Sequence, residues 1–153
     1  MNDMKPYEIK QISLAEYPNC KAIWNMETCP YTQFFIEQIK AGVRDVFILT
    51  VDGEYVAECD LVCDNPEYGT IPGERLYLSR LIVKKTERGR GYGKAMSQYI
   101  LALAKEKGCR EIALGVNCDN TAAVQLYKSL GFSMYEKAED KDGEFYRMEK
   151  KLI

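Results

Sequence analysis

The residues best suited to chemistry lie between Leu81 and Lys94, which read Leu-Ile-Val-Lys-Lys-Thr-Glu-Arg-Gly-Arg-Gly-Tyr-Gly-Lys. An apolar run ending in Leu81, Ile82 and Val83 gives way to a charged turn with glycines at 89, 91 and 93. The turn runs into a helical pattern in which Tyr92, Met96, Ile100 and Leu103 share a face. Strand, glycine loop and helix in that order make an anion site. Glycine lets backbone approach a ligand, and the helix start offers unpaired N–H groups at the positive end of its dipole. Phosphate is the natural ligand, with Arg88, Arg90 and Lys94 as added charge. Spacing excludes two phosphate loops. A Walker A loop needs glycine where Arg88 stands and Ser or Thr where Ala95 stands. The dinucleotide pattern Gly-x-Gly-x-x-Gly puts Lys94 or Met96 in place of its last glycine. What remains is Arg-x-x-Gly-x-Gly, at Arg88, Gly91 and Gly93.

A second segment narrows the reading. Asn120-Thr-Ala-Ala-Val-Gln-Leu-Tyr127 is followed by Gly131-Phe132. The glycine loop after Leu81-Ile82-Val83, and this Asn-x-x-Ala-x-x-x-Tyr run, together resemble the two signatures of the GNAT superfamily of N-acetyltransferases, in the right order. The resemblance covers Leu76 to Tyr135; the first half matches only in its succession of elements.

The resemblance implies an acetyl-CoA-dependent transferase that passes an acetyl group directly to a primary amine of a small molecule or peptide. The pyrophosphate of acetyl-CoA would meet backbone N–H groups of Gly89, Arg90, Gly91, Tyr92, Gly93 and Lys94, with Arg88 beside them. Leu81, Ile82 and Val83 would hydrogen-bond the pantetheine arm through their main chain, and Asn120 would hold it from the other side. Tyr127 is where the family places the acid that protonates the leaving thiolate. A tyrosine with a reference pKa near ~10 is neutral at pH 7 and able to donate. The general base stays open among Glu58, Asp60, Glu74, Tyr77 and water. Relatives carry a glutamate on strand four or strand five, where this chain has Tyr77 and Gly115. An acetyl-cysteine route through Cys118 is a minor alternative. Two rival readings are a non-catalytic acetyl-CoA sensor, which would need the loop and no proton donor, and a transferase using another acyl-CoA.

Composition agrees with an ordinary single domain spanning 1–153. Hydrophobic residues make up 46% and charged residues 29%, and a chain this long buries a sizeable core without staples. Net charge −2 and pI about 5.4 give no general attraction to nucleic acid. No run reaches the ~18 apolar residues of a membrane span, and Met1–Ile12 lacks a leader's apolar core. A cytoplasmic monomer or homodimer is expected. Six cysteines without a C-x-x-C pair read as reduced thiols and not as a metal site. The absence of histidine excludes imidazole-based hydrolysis.

The positioning elements follow from pattern. Tyr7–Ile12 alternates as a strand. Ser13 should cap a helix through Leu14, Tyr17, Ala22 and Ile23 that Pro18 starts or bends. Tyr31–Ala41 reads as a helix burying Phe35, Ile36 and Ile39 and stopping at Gly42, in a stretch crowded with Trp24, Tyr31 and Phe34. Asp52-Gly53 joins Asp45–Val51 and Glu54–Cys63 as a hairpin. Glu58 and Asp60 share one face of its second arm and are expected to face water, with service as a base or an amine anchor as the alternative. After a loop at Asp64–Gly73, strand four runs over Arg75–Val83. The helix from the glycine loop ends at Lys107-Gly108, and Glu111–Val116 is a strand parallel to strand four. Asp119 or Asn120 caps a helix with Ala123, Leu126, Tyr127 and Leu130 inward and Gly131 as its stop. Strands Phe132–Lys137 and Glu144–Lys150 flank an acidic loop at Asp140–Gly143. The order β-α-α-β-β-β-α-β-α-β-β gives an α/β fold, a mixed sheet of about seven strands with helices on both faces.

Overall fold

In the computed structural model, residues 4–153 are described; the part of the leader reading that falls on Met1, Asn2 and Asp3 lies outside them. The strands are β1 (Glu8–Ile12), β2 (Arg44–Val51), β3 (Glu54–Val62), β4 (Arg75–Val83), β5 (Glu111–Asn117), β6 (Ser133–Asp140) and β7 (Gly143–Lys151). The α-helices are α1 (Thr32–Lys40), α2 (Tyr92–Glu106) and α3 (Thr121–Ser129). The strands form one mixed sheet in the order β1-β2-β3-β4-β5-β7-β6.

The first helix is not an α-helix. It is a 3-10 segment, Tyr17–Ala22, with Pro18 in its first turn. Ser13 does not cap it; the Ser13 N–H and hydroxyl both donate to the Glu16 carboxylate at 3.1 Å, closing a local turn. A stretch this short lacks the length for α-helix propagation.

Two compact units divide the chain along β4: the chain up to Val62 with Arg80–Ile100, and Cys63–Ser79 with Leu101–Ile153. In the first unit the β2–β3 hairpin turns through Asp52 (φ 52°) and Gly53 (φ 81°), the paired positive values of a type I′ turn. Both arms are buried almost throughout. Val46, Ile48 and Ile12 pack against Tyr17, Cys20, Ile23 and Phe35. Asp60 lies opposite Val46 and Glu58 opposite Ile48, so both carboxylates share that packed face. The expectation that Glu58 and Asp60 face water is therefore wrong, and both are fully buried. A strand covered on both sides loses the in–out alternation on which that expectation rested.

In the second unit Arg75–Leu78 of β4 pairs in parallel with Glu111–Leu114 of β5, as the strand-helix-strand order requires. On α3, Val124 and Tyr127 are buried while Ala123, Leu126 and Leu130 are half-buried. Gly131 (φ 97°) provides the left-handed stop. The last two strands are longer than expected, and their acidic loop tightens to a turn in which Asp142 N donates to Asp140 Oδ1 at 2.8 Å.

Candidate active site

In the first unit, β4 leads through a short 3-10 turn at Lys85–Glu87 into the glycine loop. Gly89 (φ 81°) and Gly91 (φ 99°) adopt left-handed conformations that favour glycine. Gly93 has no such need. A Cβ there would meet Val83 Cγ2 at 3.6 Å and Leu81 Cδ2 at 4.0 Å, ordinary contact distances. The helix's first main-chain bond runs from Ala95 N to Gly91 O at 3.0 Å. By helix geometry, the N–H groups of Tyr92, Gly93 and Lys94 then have no intrahelical acceptor.

The three cations of this loop differ in their engagement. Arg88 is exposed and its Nε donates to Val83 O at 3.0 Å, closing the loop onto the end of β4. Arg90 Nε lies 3.3 Å from Glu87 Oε2. Lys94 is exposed in the first turn of α2. Tyr92 is buried, and its hydroxyl accepts from Lys5 N at 3.0 Å while its ring meets Tyr7 edge-on at 6.5 Å. The chain ahead of β1 thus braces the loop, a contact the sequence did not signal. Leu81, Ile82 and Val83 are half-buried, with Ile82 against the core that holds Tyr17 and Phe35.

In the second unit, Asn120 caps α3, its Oδ1 accepting from Ala123 N at 3.2 Å. Tyr127 is 6% exposed and meets Phe132 edge-to-face at 5.6 Å. Cys118 is half-buried, with its main-chain N donating to Glu144 O. Glu74 is exposed. Tyr77 stacks on Tyr68 at 4.3 Å, and burial, then Tyr68, pushes its hydroxyl up to about 12. A group titrating there keeps its proton near neutrality, which disfavours Tyr77 as a base. A Cβ at Gly115 would lie 3.0 Å from the Tyr77 hydroxyl, so the strand-four tyrosine occupies the space a strand-five side chain would need. The two departures from the expected glutamates are one steric arrangement.

The remaining base candidates lie in a polar cluster within the first unit. Asp60 Oδ2 accepts from Arg44 Nη1 at 2.6 Å, and Arg44 Nε donates to Gln38 Oε1 at 2.8 Å. Glu58 Oε1 accepts from Trp24 Nε1 at 2.7 Å. The Arg80 guanidinium lies 4.3 Å above the Trp24 ring and 4.7 Å above Phe35. Burial, then the neighbouring Glu58 charge, raises Asp60 well above the usual carboxylate range, with Arg44 opposing. Arg44, Arg80 and Tyr17 were missed from sequence. A signal existed: Arg44 is the one basic residue of an arm that is apolar apart from Asp45 and Thr50, and the hairpin register carries it to the far end of β3 beside Asp60.

Comparison with known proteins agrees with this arrangement. The acetyltransferase (GNAT) family model matches residues 7–132. A thialysine N-epsilon-acetyltransferase of Bos taurus is 36% identical over 72 residues, 47% of this chain and 42% of the relative. The chain spans about half, or less, of the length of the curated relatives it matches. Among solved structures, the ribosomal-protein-S18-alanine N-acetyltransferase from Escherichia coli superposes with a TM-score of 0.80 at 19% identity, over 96% of this chain and 94% of that one. The PaiA N-acetyltransferase from Thermoplasma acidophilum, solved in complex with coenzyme A, superposes with a TM-score of 0.68 at 19% identity, over 96% and 99%. A seven-stranded mixed sheet, a glycine loop opening α2 and a family match running from β1 to the end of α3 lead to one conclusion: the chain belongs to the acetyltransferase (GNAT) family.

Proposed function

We propose that this chain is an acetyl-CoA-dependent N-acetyltransferase, working as one domain over residues 1–153, that transfers the acetyl group directly to a primary amine of a small molecule or peptide. The observation that carries the reading is the glycine loop. Gly89 and Gly91 bend it in left-handed conformations, and the first turn of α2 presents N–H groups at the helix's positive end. At Gly93 the protein leaves ordinary room for a Cβ, against Val83 Cγ2 and Leu81 Cδ2, so packing alone does not demand a glycine there.

Gly89, Arg90, Gly91, Tyr92, Gly93 and Lys94 would hold the pyrophosphate, and Lys94 is the cation with fewest protein commitments in this loop. Arg88 would hold the loop shut on Val83 and add charge from its free guanidinium nitrogens. The β4–β5 ladder runs only to the Leu78–Leu114 pair, short of Leu81. Main-chain groups of Leu81, Ile82 and Val83 would receive the pantetheine arm, as an added strand does. Asn120 would contribute from the start of α3. Acetyl-CoA supplies the activated acyl group, and Tyr127 would donate the proton that the departing sulfur takes up. The named relatives acetylate lysine analogues and protein alanines, which supports an amine acceptor. Among the described residues no helix is long and apolar enough to cross a membrane. A cytoplasmic location fits the free cysteines, a monomer or homodimer is proposed with it, and the net charge of −2 gives no general attraction to nucleic acid.

The test is thiol release from acetyl-CoA across a panel of primary amines. Wild type should show amine-dependent release, and Tyr127→Phe should lower it about a hundredfold, the low end for losing a general acid. Absence of acetyl-CoA binding would sink the reading.

A further inference from the structure

Residues ahead of β1 lie along the glycine loop, within the first unit, and touch it at three points. The main-chain N–H of Lys5 donates to the Tyr92 hydroxyl at 3.0 Å. The Tyr7 ring meets the Tyr92 ring edge-on, with 6.5 Å between centroids and 89° between planes. The Met4 thioether covers Gly91: its Sδ and Cγ lie 3.5 and 3.7 Å from where a Cβ on that glycine would stand. Pro6 stands among these contacts, and a proline disfavours helical backbone at the residue before it, here Lys5.

This segment is ill suited to a role in the core. Met4 and Tyr7 are 43% and 40% exposed, and Lys5 and Pro6 are exposed as well, so it removes little apolar surface from water. Its partner is the opposite case. Tyr92 is buried at the first position of α2 and carries one of the N–H groups without an intrahelical acceptor. Gly89 and Gly91 make the loop pliant, and fixing such backbone for an anion costs about 1–2 kcal/mol per residue. Two anchors within the loop's own strand and helix reduce that freedom: Arg88 Nε on Val83 O, and Ser97 Oγ donating to Gly93 O at 2.8 Å. Gly91 and Tyr92 lie between those anchors, and the segment ahead of β1 is what holds them.

We propose that Met4–Tyr7 is a positioning strap for the glycine loop. By fixing Gly91 and Tyr92 it sets the N–H groups of Tyr92, Gly93 and Lys94 for the pyrophosphate of the acyl donor, without touching the donor. The ligand assignment rests on the transferase reading above. A strap of this kind raises affinity by preorganisation, and only for ligands that carry the diphosphate. A donor reduced to its pantetheine arm, received by the main chain of Leu81, Ile82 and Val83, gains nothing from it.

Two variants remove opposite ends of one bond: Tyr92→Phe takes the hydroxyl and Lys5→Pro takes the N–H. The full chain is titrated calorimetrically with acetyl-CoA, inorganic pyrophosphate and acetyl-pantetheine, with urea unfolding run alongside. Acetyl-CoA and pyrophosphate should each bind about three- to tenfold more weakly in either variant, the equivalent of one net hydrogen bond. The double variant should bind no more weakly than the poorer single, because both changes remove the same bond. Affinity for acetyl-pantetheine should hold. Unaltered affinity in both variants overturns the strap, as does tighter binding, which would make the segment a lid over the loop. An equal loss for acetyl-pantetheine overturns it too, by showing general damage to the fold. Lys5→Pro leaves the buried Tyr92 side chain whole and carries the test should Tyr92→Phe fail to fold. The two readings fail separately. Weakened pyrophosphate binding in the variants, with no amine acetylated by the wild type, supports the strap and sinks the transferase assignment. Acetyl transfer with unaltered acetyl-CoA and pyrophosphate affinity in both variants sinks the strap and leaves the transferase standing.

Discussion

Two arginines of this protein are each held by carboxylates and stacked on a ring, and they do different work. Arg44 and Asp60 are both fully buried and 2.6 Å apart, with Phe35 4.3 Å from the guanidinium carbon. Arg75 bridges Glu111 at 2.9 Å and Glu149 at 3.1 Å, with the partners 25% and 31% exposed and Tyr135 at 5.5 Å. The second arrangement ties β4, β5 and β7 together, and water solvates what the arginine leaves over. The first is closed to solvent and holds a second acid, Glu58, which accepts from Trp24 Nε1, with the Arg80 guanidinium stacked on the same indole ring. The difference separates a solvated tie between strands from a polar cluster whose charges must be matched inside the protein.

The largest way to break this contrast is Arg44→Met. It strands Asp60 beside Glu58 in a dry interior, and the expected loss is about 3–5 kcal/mol in urea denaturation. A loss below about 1 kcal/mol would mean that water reaches the cluster and the contrast is false.

A pH measurement sharpens it next. Asp60 interacts with Glu58 on its own strand and Arg44 on β2, and its charge acts in turn on Tyr17 and Cys20 of the 3-10 turn. Its folded-state pKa is raised, by burial first and Glu58 second. The folded state therefore binds the proton more tightly than the unfolded one. Stability is greatest below the unfolded value near ~4 and falls as pH rises toward the folded value. Removing the Glu58 charge lowers that folded value. The wild type should therefore lose stability with pH more steeply than Glu58→Gln, by at most about 1.4 kcal/mol per pH unit for one group. Parallel slopes between pH 4 and 7 would show that the two carboxylates do not sense each other. Arg75→Met comes third. Its abandoned carboxylates are partly solvated, so the expected loss is about 1 kcal/mol, reduced further by salt.

The same contrast explains what the sequence disclosed. The glycine loop was legible because its chemistry is written in consecutive residues, and β4 falls on Arg75–Val83 as its apolar run ends. Asn120 was legible as a cap for the same local reason. The buried cluster was not, because it joins Tyr17, Trp24, Phe35, Arg44, Glu58 and Arg80 from six separate elements or loops. Glu58 and Asp60 are two apart in a hairpin that alternation alone would half expose. What reverses their burial is the covering layer of 3-10 turn and α1, a tertiary fact. The shortened first helix belongs with these failures, since Ser13 reads as a cap until Glu16 competes for its donors.

Gly93→Ala produces the smallest change in stability and asks whether the legible region is a site as well. Gly93 lies in the first turn of α2, where alanine is the better helix former, and the added methyl would sit 3.6 Å from Val83 Cγ2. Folding should gain, by up to about 1 kcal/mol. Acetyl-CoA affinity should fall at least tenfold, because the methyl stands beside Val83 and Leu81, where the proposed pantetheine and pyrophosphate contacts meet. Gly89→Ala makes the opposite statement: φ of 81° strains any side chain, so that variant should lose stability by about 1 kcal/mol whatever binds. Calorimetric titration with acetyl-CoA, run beside denaturation of both variants, reads the two quantities separately. Stability that rises while affinity falls in Gly93→Ala identifies a glycine kept for its ligand. Stability and affinity falling together would make Gly93 a packing residue like its neighbours, and the loop would lose its claim to a phosphate.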